Sequence, residues 1–413
     1  MSSSPDQPST GSARLACVDQ MRGLAALYVA LYHALLVQWP NGEARPAWYL
    51  RWADFGHVAV AIFIVLSGYS LALGIARRSD RSAGPYGRFM AKRAYRLLPP
   101  YWVALFGSIL LLALAPHSSR PSAATAADTW SKGPVPFRSI PVFGLLLQDV
   151  FRVPSPNSPL WSIAVEWHLY FIFPVLILLG VRYGMGRLVA AGLVVGVGLH
   201  VAVVNTSLAA TTPHFLALFC FGIASAFAVA GRTASGRAGP AGPRVGWAMM
   251  GLAFGAFVLF HQWEVIGDVL AGALVAGALF VLGTAAERPA PAGRERFRWL
   301  ASVGLISYSL YLIHSPTEKV VWELFVSKLG LAPVPAFAVL AVLGIGASLL
   351  AARLLFVLVE QPSLRRAHQV GAPPPKVAPS TSWGPAPSWL GGRGAGRRRQ
   401  RPAPPQGPEQ GLA

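Results

Sequence analysis

Long runs of apolar residues, separated by short polar or basic segments, fill most of the chain between residues 15 and 359. A transmembrane α-helix needs about 20 consecutive, mainly apolar residues, and most of these runs reach that length. We therefore expect an all-α fold, a polytopic transmembrane helical bundle. About ten spans are predicted, at approximately 15–38, 55–76, 98–115, 158–181, 187–205, 213–230, 245–261, 265–284, 299–326 and 334–359.

The two ends of the chain differ from the bundle in composition. Residues 1–13 are polar and lack the basic region and short apolar core of a cleavable signal peptide, so we expect a disordered N-terminus. Residues 363–413 are rich in Pro, Gly and Arg and cannot bury a core, which predicts a disordered basic tail. Residues 14–362 are then one transmembrane domain.

Composition and charge agree with a membrane protein. The 413 residues are 54% hydrophobic and 12% charged, whereas soluble domains carry about 25% charged residues. The net charge of +19 would suggest nucleic acid as the partner of a soluble protein. Here the basic residues lie in loops and in the tail, so the lipid bilayer is the expected partner and nucleic acid is not.

The distribution of basic residues predicts the orientation in the membrane. If the N-terminus is cytoplasmic, 25 Lys and Arg residues fall in inner segments and seven in outer loops. Cytoplasmic loops carry an excess of Lys and Arg, so we expect a protein of the cytoplasmic membrane with both termini inside. The two cysteines, Cys17 and Cys220, predict no disulfide framework, and no oligomeric state is predicted.

The first apolar segment carries Arg22 and His33 eleven positions apart. Eleven residues make three helical turns, so both side chains share one face, roughly 16 Å apart along the axis. An ionisable residue within a span suggests a functional site. The alternative is an arginine that reaches the membrane interface and a histidine that bonds a neighbouring helix.

A basic segment leads into the third span. Arg93 and Arg96 are three residues apart and share a helix face, where two guanidinium groups could bind phosphates. The alternative is contact with lipid headgroups, which we expect for Arg77, Arg78 and Arg81.

Two later segments place polar groups inside spans. The fourth span begins with Trp161 and Ser162 and contains Glu166, an acid that at this depth needs a partner, for which Arg22 and His33 are candidates. Another helix could also supply that partner. His168 is expected to be a packing histidine.

The ninth span holds Tyr308, Tyr311 and His314 at steps of three residues, a polar ridge suited equally to substrate contact and to hydrogen bonds between helices. His200, His214 and His261 are isolated along the chain, without the helical spacing of metal ligands, so no metal site is predicted.

Phrases around these residues resemble, in the same order, those of the acyltransferase-3 family of integral-membrane enzymes. The matching features are Arg22 and His33 with ten residues between them, Phe63 to Tyr69 with Ser67-Gly68, Arg93-x-x-Arg96 followed by Pro and Tyr, Leu160-Trp161-Ser162 with Glu166, Ser307 to Pro316, and Glu360-x-Pro362. Departures from the family's phrases occur at Gln20-Met21, Ala59 and Trp167-His168.

The resemblance implies a stand-alone O-acyltransferase. It implies that His33 is the catalytic base, with Arg22 and Glu166 as further catalytic residues, and that Arg93 and Arg96 bind the phosphates of an acyl-coenzyme A. Substrate contacts are expected from Trp161, Ser162, Tyr308, Tyr311 and His314. The donor would be acyl-CoA, by default acetyl-CoA, with no permanently bound cofactor.

The expected acceptor is a hydroxyl-bearing carbohydrate or a glycosylated small molecule. Surface polysaccharide, peptidoglycan, glycolipid and a sugar-bearing antibiotic all fit the sequence. The alternative function is a transporter or flippase of sugars or lipid-linked intermediates, because buried charged groups also suit a polar pathway.

Overall fold

The computed structural model describes residues 10–39, 48–114, 135–234, 241–260, 263–285 and 298–370, and every regular element within them is helical. The α-helices are α1 Thr10–Gln38, α2 Gly56–Ala76, α3 Tyr86–Leu114, α4 Ser139–Gly144, α5 Trp161–Tyr183, α6 Met185–Val203, α7 Phe215–Ala234, α8 Ala241–Phe260, α9 Glu264–Ala285, α10 Arg298–Leu305, α11 Ser307–Leu324, α12 Pro333–Leu355 and α13 Gln361–Gln369. A π-helical turn, Phe356–Glu360, joins the last two.

The predicted helical bundle is confirmed. Within the described residues, eight helical segments are long and apolar enough to cross a membrane. The two other predicted spans are also helical. The apolar part of α8 is shorter, Met250–Leu259, and α11 carries Glu318, Lys319 and Glu323, which lower its hydropathy.

Helix boundaries differ from the prediction at several points. α3 begins at Tyr86, twelve residues before the predicted span, because the basic segment continues the same helix through Pro99 and Pro100. The predicted span at 299–326 is broken at Ile306 into α10 and α11.

The predicted ends of the transmembrane domain also shift. α1 already includes residues 10–13, and α13 extends to Gln369 with Ser363 and Ala367 buried, because one face of this amphipathic helix packs against the bundle. The rest of the predicted tail, and residues 1–9, lie outside the described residues.

α2 and α7 form the centre of the bundle. In the spans Tyr49–Ala76 and Ser207–Arg232, 67% of the most apolar stretch is buried, against 17% in α6. A helix that is apolar on all sides belongs inside a bundle. A Cβ atom on Gly68 would lie 2.4 Å from the Phe219 carbonyl oxygen, and one on Gly222 would lie 2.1 Å from the Val65 carbonyl oxygen. Small residues therefore let the two backbones touch, as is usual for helices in membranes.

Candidate active site

Three cavities follow one another across the bundle. The first, the basic cavity of about 950 Å³, lies between the end of α2 and the start of α3, and is lined by Ser70, Leu71, Gly74, Ile75, Arg78, Ala83, Gly84, Pro85, Arg88, Phe89, Lys92 and Arg93. Because α1, α2 and α3 alternate in direction, this cavity lies on the side where α1 begins.

The second cavity, the central chamber, is the smallest of the three. It is lined by Arg22, Val60, Phe63, Ile64, Ser67, Arg96, Leu97, Ser162, Ile163, Glu166, Tyr170, Ser307, Tyr308 and Tyr311. The side chains that line the chamber include two arginines and one carboxylate, which give a formal net charge of +1.

The third cavity, the His33 cavity, has a volume of about 1720 Å³ and lies on the side where α1 ends. It is lined by Tyr32, His33, Leu36, Gly56, His57, Val60, Phe143, Gln148, Arg152, Val153, Pro154, Ser155, Ser158, Trp161, Ala210, Glu264 and Tyr311. Val60 and Tyr311 line both this cavity and the central chamber, so the two are neighbours.

The orientation of the His33 ring follows from one hydrogen bond. Its Nδ1 lies 2.9 Å from the Val29 carbonyl oxygen, one turn earlier in α1. A carbonyl oxygen only accepts, so the proton of the neutral ring is on Nδ1 and the lone pair is on Nε2. His33 therefore offers Nε2 as a base.

Arg22 lies away from His33. Both residues are in α1, as predicted, but the guanidinium of Arg22 donates to Ser70 Oγ at 3.1 Å. Ser70 lines the basic cavity, and on α2 it is thirteen residues, about 20 Å, from His57 at the level of His33. The resemblance implies that Arg22 is a catalytic residue beside His33, but here its guanidinium faces the central chamber and Ser70, on the side of the bundle away from His33.

Glu166 has other partners than those the sequence suggested. Ser67 Oγ donates to its Oε1 at 2.6 Å and the Tyr170 hydroxyl donates to the same oxygen at 2.5 Å. Charge-assisted bonds of this kind stabilise a carboxylate inside a membrane protein. Ser67 thus belongs to the site, whereas Gly68 next to it serves packing.

Arg93 and Arg96 share a face of α3 but line different cavities. Arg93 lies in the basic cavity, with its guanidinium 5.7 Å from the centre of the Phe89 ring, and its buried Nε has no hydrogen-bond partner among the described residues. Arg96 lines the central chamber with Arg22. Arg78, which the sequence predicts at the lipid headgroups, also lines the basic cavity.

The residues expected to contact substrate divide into two groups. Trp161 lines the His33 cavity, and Ser162 and Tyr308 line the central chamber. The Tyr308 hydroxyl donates to the Leu97 carbonyl at 2.8 Å, and the Tyr311 hydroxyl lies 2.6 Å from Ser162 Oγ. These tyrosines therefore form hydrogen bonds between helices and also face the cavities, so their positions are compatible with both expected roles, helix contact and substrate contact.

His314 is placed differently from the sequence expectation. It is completely buried, lines none of the three cavities as described, and its ring meets that of His33 with the centroids 4.7 Å apart. Direct substrate contact does not fit this position, because the ring of His33 and the surrounding core cover it.

Comparison with known families decides the class of this chain. The sequence model of Acyl_transf_3, described as an acyltransferase domain, matches residues 15–353, which include all ten candidate residues. The chain belongs to the acyltransferase-3 family. The acyltransferase domain therefore consists of the helical bundle that forms the three cavities.

Two relatives of this acyltransferase-family chain are named for one activity. The putative peptidoglycan O-acetyltransferase YrhL of Bacillus subtilis (strain 168) is 30% identical over 169 residues, which cover 40% of this chain and 24% of the relative. The peptidoglycan O-acetyltransferase OatA of Listeria monocytogenes serovar 1/2a is 25% identical over 321 residues, which cover 72% of this chain and 48% of the relative. The matches thus span less than half the length of either relative. No solved structure matches the chain.

Sequence reasoning missed several residues of the site. Ser70 and Tyr170 bond the charged groups of the acyltransferase chamber, but a single hydroxyl in an apolar helix gives no signal of its partner. His168 is a bonded packing residue as expected, because its Nδ1 lies 2.9 Å from Asp149 Oδ2.

His200 and His214 are isolated along the chain, but tertiary packing places His214 between His200 and Asp268. His261 lies outside the described residues. Within the part of the chain that the structure describes, no group of three or more His, Cys, Asp or Glu side chains has the geometry to hold a metal ion.

Proposed function

We propose that this acyltransferase moves an acyl group, by default acetyl, from acyl-CoA to a hydroxyl group of a carbohydrate. The observation that carries the proposal is the series of three cavities, which begins at Arg93 and ends at His33 on opposite sides of the bundle. A donor bound at one side could thus deliver its acyl group to an acceptor at the other. Membership of the acyltransferase-3 family supports the reaction class.

The basic cavity suits the nucleotide end of the donor. Arg78, Arg88, Lys92 and Arg93 give it four positive charges and no acidic side chain among its lining residues. Guanidinium groups bind phosphates in pairs, and the Phe89 ring offers an apolar surface beside them. Arg22 and Arg96 in the chamber would continue this positive path for the donor's long flexible arm.

The reaction at the far end needs only one base and one acceptor hydroxyl. His33 Nε2 removes the hydroxyl proton while the acceptor oxygen attacks the thioester carbonyl carbon. The new carbon–oxygen bond forms, the carbon–sulfur bond breaks, and the departing thiolate of coenzyme A takes the proton from His33. No oxidant, reductant or metal ion is required.

The acceptor would enter through the His33 cavity. The excess of basic residues on the other side supports a location of this cavity at the outer face of the cytoplasmic membrane, with both termini inside. Trp161, Tyr32 and the polar side chains of Gln148, Arg152 and Glu264 give the cavity apolar faces together with hydrogen-bonding groups. Since both relatives are named as peptidoglycan O-acetyltransferases, the glycan of peptidoglycan is the first acceptor to test.

Cavities that cross the bundle also favour the second candidate function, a transporter or flippase of sugars or lipid-linked intermediates. The two functions differ in the fate of the donor. An acyltransferase consumes acyl-CoA and forms a new ester, whereas a transporter moves its cargo unchanged.

The test uses membranes that contain the full chain, acetyl-CoA labelled in the acetyl group, and soluble peptidoglycan fragments released by muramidase. We expect labelled, alkali-labile ester on the fragments with the wild-type chain and none with His33→Ala. Equal label with both chains, or no label with the wild type, would contradict the proposed activity on this acceptor. An extract of the native cell in place of the fragments extends the test to other carbohydrates.

A further inference from the structure

Four ionisable side chains meet beside the His33 cavity, in a cluster that the reaction above does not use. Asp268 of α9 lies at the centre, with its Oδ2 3.1 Å from His214 Nε2 and its Oδ1 3.7 Å from His57 Nε2. On the far side of His214, the Nδ1 atoms of His214 and His200 are 3.2 Å apart. Of the four residues, only His57 lines the His33 cavity.

With Asp268 ionised, the proton positions in this cluster follow from its carboxylate. A carboxylate only accepts, so His214 donates from Nε2 and its Nδ1 carries the lone pair. That lone pair accepts a hydrogen bond from His200 Nδ1. His200 therefore donates to His214, and His214 donates to Asp268. The cluster is consistent with one anion and neutral imidazoles.

His57 is the end of this cluster that faces the cavity. Its Nε2 and Asp268 Oδ1 are both buried and without a hydrogen-bond partner among the described residues, and the 3.7 Å between them is slightly too long for a hydrogen bond. The proton of neutral His57 is best placed on Nε2, toward the carboxylate. Nδ1 then carries the lone pair, and the exposed 34% of the side chain lies on the atoms other than Nε2.

Plain packing does not explain why this cluster ends at the cavity. An aspartate buried within a transmembrane span is costly, and such residues usually serve function. The chain contains a close comparison in His168 and Asp149, whose side chains are 36% and 1% exposed, against 34% and 2% for His57 and Asp268. Neither His168 nor Asp149 lines any of the three cavities.

We propose that His57, whose Nε2 faces the Asp268 carboxylate, binds a hydroxyl group of the acceptor carbohydrate in the His33 cavity. Two imidazoles then face one cavity with different tasks. His33 takes the proton of the reacting hydroxyl, and His57 Nδ1 accepts a hydrogen bond from a second hydroxyl of the same acceptor. The other charged groups that line the cavity, Arg152 and Glu264, complete a surface suited to a neutral polyol. This assignment rests on the proposed acyl transfer.

Steady-state kinetics of the purified full chain test the assignment, with acetyl-CoA as donor and soluble peptidoglycan fragments as acceptor. His57→Leu removes the nitrogen but keeps the bulk, and His57→Gln keeps an accepting oxygen. Asp268→Asn replaces the negative oxygen that faces His57 Nε2 with an amide N–H, which favours the ring proton on Nδ1 and turns the acceptor into a donor. We expect His57→Leu and Asp268→Asn to raise the KM for the fragments at least tenfold, and His57→Gln to raise it less than threefold.

The KM for acetyl-CoA should stay within twofold of wild type in all three variants. The control variants His168→Leu and Asp149→Asn remove the matched pair away from the cavities, and both KM values should stay within twofold. If His57 and Asp268 served packing alone, their variants would melt at lower temperatures without a selective rise in the KM for the fragments.

Three outcomes overturn the assignment. The first is a fragment KM for His57→Leu equal to that of His57→Gln. The second is a parallel rise in the KM of both substrates, and the third is loss of the folded protein in His57→Leu and His57→Gln alike, which would make His57 structural. Absence of acetyl transfer by the wild-type chain instead contradicts the proposed function, and this assignment with it.

Discussion

The imidazole rings of His33 and His314 meet edge to face, with their centroids 4.7 Å apart and their planes at 75°. Each ring donates from Nδ1 to the carbonyl oxygen one turn earlier in its own helix, Val29 for His33 and Leu310 for His314. The ring of His33 is therefore oriented by its own helix α1 and contacts a ring held by α11, which predicts that His314 is a positioning residue for His33.

His33→Ala should abolish acyl transfer while the protein still folds. A positioned general base contributes about 10²–10⁴-fold to a rate, so kcat should fall by that factor. The measurement is acetyl transfer by purified protein, with the melting temperature as a control for folding. Retention of full activity would remove His33 from the mechanism.

His314→Phe distinguishes positioning from substrate binding. Phe keeps a ring against His33 but cannot donate to Leu310, so the His33 ring should lose part of its fixed orientation. We expect kcat to fall roughly tenfold, the effect of about 1.4 kcal/mol at the barrier, with both KM values within twofold of wild type. A rise in acceptor KM at constant kcat would restore His314 to the substrate-binding residues.

Arg93→Ala and Arg96→Ala should weaken binding of acyl-CoA more than binding of the acceptor. Each replacement removes positive charge from the path between the basic cavity and the central chamber. Lysine should rescue only in part, because it supplies charge without the planar fork of the guanidinium. Titration of donor and acceptor on purified variants measures both effects. Arg77→Ala is the matched control, since Arg77 lines none of the three cavities. Unchanged donor affinity in the double alanine variant would mean that Arg93 and Arg96 contact lipid headgroups instead.

Gly68→Ala should destabilise the bundle without any chemical role for the residue. An added Cβ would lie 2.4 Å from the backbone oxygen of Phe219, so α2 and α7 must separate. Overpacking of this kind typically costs about 1–3 kcal/mol of unfolding free energy. Thermal unfolding in detergent provides the measurement. Gly74→Ala on the same helix is the control, because a Cβ there meets nothing within 4 Å, and equal melting temperatures for the two variants would contradict the packing argument.

Reporter fusions test the orientation of the bundle. With 25 basic residues on one side and seven on the other, fusions at both termini should report the cytoplasm. A fusion in the loop between α1 and α2 should report the outside, and with it the side of the His33 cavity. An external C-terminus together with an internal N-terminus would mean that one predicted span does not cross.

Much of this protein is determined by local sequence. A run of about 20 apolar residues can cross a membrane as an α-helix, because the helix satisfies every backbone hydrogen bond within the segment. Such runs therefore predict the helical bundle. The shared helix faces of Arg22 with His33, and of Arg93 with Arg96, follow from 3.6 residues per turn and are present in the structure. The family phrases include these four residues, and the match over residues 15–353 confirms the family.

Only the tertiary structure decided which side chains meet. Helical periodicity gives the face on which Glu166 lies, but only the packing of α5 beside α2 makes Ser67 its partner. His200 of α6, His214 in the turn before α7, and Asp268 of α9 come from separate segments of the chain, so no helical spacing rule links them. Tertiary structure also separates Arg22 from His33, although α1 carries both. The helices packed around α1 form the central chamber at Arg22 and the His33 cavity at His33.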